Sequence, residues 1–113
     1  MSASLLDAGE ALAAALQAET AVLAVPGHPQ AETLGAAKTA ALEAFAAALA
    51  ATPPAPRQVR AMMLMARLRH LAAENQAALE RALRVQAAVL EVLRDAMQRG
   101  EAAAGQAAVS FRV

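Results

Sequence analysis

With 113 residues the chain has room for one domain with a thin core, because a fold this small buries only about two-thirds of the surface its unfolded chain exposes. Hydrophobic residues make up 58% of it but aromatics only 2%, and more than half of the apolar residues are alanine, a composition that favours closely packed helices. A net charge of zero gives no general pull toward nucleic acid or membranes, and the lack of cysteine excludes disulfides, thiolate catalysis and cysteine-ligated metals.

The two halves are charged oppositely. Residues 1–50 set Asp7, Glu10, Glu19, Glu32 and Glu43 against Lys38, whereas residues 51–113 set nine arginines against five acids. An acidic half folded back on a basic half accounts for this, with a basic partner surface as the other reading. No run of eighteen uncharged apolar residues occurs, and Asp7 and Glu10 stand where a secretory signal needs lysine or arginine before an apolar run, so the expectation is a soluble, cytoplasmic chain without stable membrane insertion.

Proline divides the chain at VPGHPQ (25–30) and TPPAP (52–56). The first predicted helix covers about 4–24, with Ser4 as N-cap and Leu5, Leu12, Leu16 and Leu23 as its apolar spine. The second covers about 29–51, opening at Pro29 and carrying Leu34, Leu42, Phe45 and Leu49. Lys38 is expected to lay its stem along that seam and keep its ammonium in water.

The third helix is expected from Pro56 to Arg99, with Gly100 as C-cap and a frayed tail over 100–113. At 1.5 Å per residue it would span about 65 Å, against about 30 Å for each of the others, so a compact bundle leaves roughly half of it uncovered. It carries a 4,3 repeat, Leu64, Leu68, Leu71, Asn75, Ala78, Ala82, Val85, Val89, Val92 and Ala96, beside a second apolar row of Leu79, Leu83, Leu90, Leu93 and Met97. That surface is too wide for a two-stranded seam. The predicted class is all-α, two short helices and one long one, as a helical hairpin or a three-helix coiled-coil-like bundle in one domain, 1–113.

Enzymatic readings lack parts: no hydroxyl residue lies in a Gly-x-Ser-x-Gly elbow, and no glycine-rich phosphate loop is present. No cofactor or metal is expected. His70 and Glu74, at i,i+4, could supply half a metal site or form an exposed polar pair. Arg57, Arg60, Arg67 and Arg69 have no aromatic stacking residue among them and read as a solvated face, not a nucleic-acid site. Asn75, among leucines, is either a register-fixing polar residue or a partner contact. Met62, Met63, Met65 and Met97 fit core filling or an adaptable binding surface.

The stretch Leu68 to Leu93, LRHLAAENQAALERALRVQAAVLEVL, resembles the C-terminal helix of FlgN-type flagellar export chaperones, especially the short alphaproteobacterial forms, through Leu71, Glu74, Asn75, Leu79, Ala82, Val85, Gln86, Val89 and Leu90. The upstream AAKTAALEAFAAAL, with Lys38, Leu42, Phe45 and Leu49, resembles the family's second segment. Relatives often place a tyrosine shortly before a glycine beyond the long helix, where this chain has Ala102 to Gly105 as AAAG. The resemblance implies a small cytoplasmic, non-enzymatic chaperone. It would hold hook-filament junction subunits before type III export, with export-apparatus components as a second class of partner. Its client-binding residues would be Asn75, Leu79, Leu83, Val85, Val89, Leu90, Leu93 and Met97. The competing expectation is a self-associating helical structural or adaptor protein, with the same stripe buried in a homodimer.

Overall fold

The computed structural model describes residues 3–52 and 59–112, and the side chains of 5–52 and 59–101. Among them are three helices and no strand: α1 Ala3–Leu23, α2 Ala31–Ala51 and α3 Val59–Arg112. The all-helical class with two shorter helices and one long one is as the spacing predicts. Several boundaries differ, each for a local reason.

The segment between α1 and α2 is a stack of turns. The amide of His28 donates to the Val25 carbonyl at 3.2 Å, and Gly27 has φ +69°. Proline second and a left-handed glycine third is the type II turn pattern, so Val25–Pro26–Gly27–His28 is that turn. Pro29 therefore belongs to the connection. Helix α2 starts two residues later, after Gln30, whose side chain makes no capping bond. At the other end Thr52 is extended, at φ −95° and ψ 120°, as the residue before Pro53 must be to avoid the proline ring. Its hydroxyl donates to the Ala48 carbonyl at 2.7 Å, satisfying one of the last carbonyls of α2. The expected start at Pro56 lies outside the described residues.

The largest correction is at the C-terminus. Gly100 does not cap α3; the helix passes through it and continues to Arg112. A glycine that caps a helix commonly does so in the left-handed conformation, and among the described residues the positive-φ glycine is Gly27, not Gly100. One glycine costs a helix interior only about 1 kcal/mol, and the alanines of 102–108 are the best helix formers available.

By contact the chain divides into two units, Met1–Ala82 and Leu83–Val113, where the sequence reading has one domain. In the first, Leu5, Leu12, Ala13 and Leu16 of α1 meet Leu64, Leu68 and Leu71 of α3, with Phe45 from α2. Gly9 sets the α1–α3 approach: a Cβ there would lie 2.5 Å from Leu64 Cδ2. From α2 the bundle takes Leu34, Lys38, Ala41, Phe45 and Ala48, at spacings of four and three, while Leu42 and Leu49 remain about half exposed. The predicted leucine spine of α2 is thus off-centre, because alanine lets the helix sit close on its small-residue side. In the second unit every described side chain, Leu83 to Glu101, is exposed.

Candidate docking face and polar clasp

Where the three helices meet in the first unit, the core is interrupted by a polar cluster. Glu19 and Asn75 are 4% and 3% exposed. Asn75 donates through Nδ2 to Glu19 Oε1 at 2.9 Å and to Thr20 Oγ1 at 3.1 Å. Lys38 Nζ donates to Asn75 Oδ1 at 3.1 Å and pairs with Glu19 Oε1 at 2.7 Å. The amide of Asn75 thus has partners on both its donor and acceptor sides, and the buried carboxylate has a cation. Among the described residues no buried side-chain polar atom is left without a partner. This corrects the expectation for Lys38: its side chain is 21% exposed and its ammonium closes the cluster instead of standing in water. Glu19 could have been found from the sequence, since it lies three residues after Leu16 and four before Leu23, on the apolar spine of α1.

Other charge expectations are met sparsely. The acidic and basic halves are joined by Arg67 to Glu10, at 2.9 Å and well exposed. Glu19, by contrast, takes its cation from its own half of the chain. His70 Nε2 lies 2.9 Å from Glu74 Oε1, both exposed, and no cluster of three metal-ligating side chains occurs among the described residues. Arg60, Arg67, Asp7 and Glu10 rim an open hollow of about 670 Å³ over Leu6, Met63 and Leu64.

The eight expected client-binding residues separate into three environments. Asn75 is inside the bundle, committed to Glu19, Thr20 and Lys38. Leu79 is half-buried. Leu83, Val85, Val89, Leu90, Leu93 and Met97, with Val92, are each between 42% and 67% exposed. At 100° per residue they sweep about half the circumference of the helix. Glu80, Arg84, Glu91 and Gln98 take the opposite side. Gln86 is the one polar side chain within the same half. Scattered exposed leucines are ordinary, but a predominantly apolar half-cylinder marks an interaction surface.

Helix α2 is the one described helix long and apolar enough to cross a membrane, with a mean hydropathy of 1.3 over its best stretch. Its Lys38 is held by Glu19 and Asn75 of the neighbouring helices.

No protein-family model, curated protein or solved structure matches this chain.

Proposed function

We propose that the chain is a non-enzymatic cytoplasmic export chaperone. It binds an amphipathic helix of a flagellar hook-filament junction subunit along α3, through Leu83, Val85, Val89, Leu90, Leu93 and Met97. The observation that carries the docking reading is the exposure of these side chains on one half of a continuous helix. Water against that area is costly, at about 25 cal/mol for each Å² of apolar surface, and a client helix laid along it removes the cost for both partners. The flagellar client rests on the resemblance of Leu68 to Leu93 to the FlgN-type C-terminal helix. No cofactor enters the mechanism. The chaperone masks an aggregation-prone stripe and releases it to the export machinery.

Co-expression with hook-filament junction subunits tests this. The wild type should co-purify with one of them and Leu90→Asp should not, because a carboxylate in an apolar contact loses its water without gaining a partner. Failure of the wild type to retain any junction subunit refutes the flagellar client. The 4,3 spacing of Ala82, Val85, Val89, Val92 and Ala96 favours a second reading, a homotypic seam, which would show as a stable dimer of the wild type and a monomer of Leu90→Asp.

A further inference from the structure

Helix α2 packs on a side that its leucines do not define. At about 100° per residue, the inward side of Leu34, Lys38, Ala41, Phe45 and Ala48 is centred about 40° from the side that carries Leu34, Leu42, Phe45 and Leu49. Ala41 and Ala48 are partly buried against the core, whereas Leu42 and Leu49 are 52% and 46% exposed. A turn of that size about the helix axis would exchange the two alanines for the two leucines and bury more apolar area. Alanine permits the observed setting because it packs closely, but it does not select it.

The residue at the middle of the leucine side is Lys38, with Leu34 and Leu42 four residues away in either direction and Phe45 seven residues on. Turning α2 onto its leucines would carry the ammonium to the centre of the buried side, where a cation without water needs a partner. In the observed setting Lys38 stays at the edge, 21% exposed, with Nζ 2.7 Å from Glu19 Oε1 and 3.1 Å from Asn75 Oδ1. Glu19 is itself held by Asn75, whose Nδ2 donates to the same Oε1 at 2.9 Å. Its other oxygen lies against the backbone of α2: a Cβ on Gly35, three residues before Lys38, would come within 2.9 Å of Oε2. The carboxylate therefore fits between Gly35 and Lys38, and any turn of α2 moves the cation relative to it.

We infer that α2 has two settings on the α1–α3 pair, and that the Lys38–Glu19 ion pair holds it in the one that leaves Leu42 and Leu49 at the surface. The attraction between the two charges offsets the leucine burial that the helix forgoes. Loss of the pair releases α2 to turn by about 40° onto its leucines, with residue 38 at the middle of a continuous apolar stripe. The device lies wholly within the first unit and is independent of the docking reading.

The variant Glu19→Gln/Lys38→Met removes both charges together, so that neither is left buried alone. Its setting is compared with the wild type in two ways. Nuclear Overhauser contacts between leucine methyls report how closely Leu42 and Leu49 meet the core leucines. The alkylation rate of Ala48→Cys, in a chain with no other cysteine, reports whether position 48 is covered. In the double variant the thiol at 48 should lose the protection it has beside the intact pair, and Leu42 and Leu49 should gain contacts with the core. Unchanged contacts and an unchanged rate in a folded double variant overturn the inference. If the double variant does not fold, Glu19→Leu/Lys38→Met/Asn75→Leu, which leaves no charge or amide of the clasp inside the bundle, carries the same two readings. Failure of that variant to fold as well means that the leucine setting cannot hold α2, which also overturns the inference. Lys38→Arg keeps the cation and should keep the wild-type pattern; a turned helix there overturns the role of the charge.

Discussion

Residues 64–78 and 83–97 of α3 have the same kind of sequence and opposite surroundings. Leu64, Leu68, Leu71 and Ala78 are buried at spacings of four, three and seven, and Val85, Val89 and Val92 continue the periodicity in the open. Periodicity therefore identifies an apolar face, but whether that face is covered depends on which other segments pack against it. In the first stretch the cover is α1 with Phe45 of α2; in the second, every described side chain is exposed.

Placing a charge in each stretch gives the largest contrast. Leu68→Asp should cost the fold more than 3 kcal/mol, because an unpaired carboxylate would be forced into the core, and thermal unfolding should show the first unit destabilised or unfolded. Leu90→Asp should change stability by no more than about 0.5 kcal/mol, since its site is already in water. Equal losses from the two would mean that the second stretch is packed after all.

The polar clasp comes next. Lys38→Met removes the cation from buried Glu19, and it should destabilise by about 1–3 kcal/mol, below the range for a fully buried pair because Lys38 remains partly exposed. Asn75→Leu should cost a similar amount by leaving Glu19 and Lys38 with fewer bonds, whereas Gln86→Leu should leave stability unchanged or slightly raised. Urea unfolding of the three variants, read at the same protein concentration, compares the two amides directly.

Gly9→Ala tests the packing between α1 and α3. The added methyl would overlap Leu64, so a loss of about 1–3 kcal/mol in thermal unfolding is expected. The smallest effect is Gly100→Ala. Apart from the local backbone of α3 itself, nothing lies within 4 Å of the Cβ it would add, and α3 should gain about 1 kcal/mol of local helix stability, seen as slower amide exchange around the substitution.

These contrasts also mark how far the sequence could be read. Proline spacing and leucine periodicity disclose three helices, and VPGH discloses its own turn. Gly100 misleads because a glycine that caps one helix is tolerated inside another, and only the backbone conformation distinguishes them. Leu42 and Leu49 mislead because in a helix dominated by alanine the leucines need not mark the buried side. Lys38 and Asn75 are both legible as seam residues, but their joint partner, Glu19, comes from a helix more than fifty residues before Asn75, and one-helix patterns cannot show that meeting. For the docking face, the sequence defines the apolar rows; their exposure is the contribution of the fold.

Because the chain has no cysteine, single thiols can report on that face directly. Ala78→Cys and Val89→Cys are compared for their rate of alkylation, alone across a range of protein concentrations and with a co-purified junction subunit. The account predicts that Cys at 78 is protected in both states, and that Cys at 89 reacts at the rate of an exposed thiol alone and becomes protected in the complex. Protection at 89 in the isolated chain at every concentration, or full reactivity there within the complex, would contradict it.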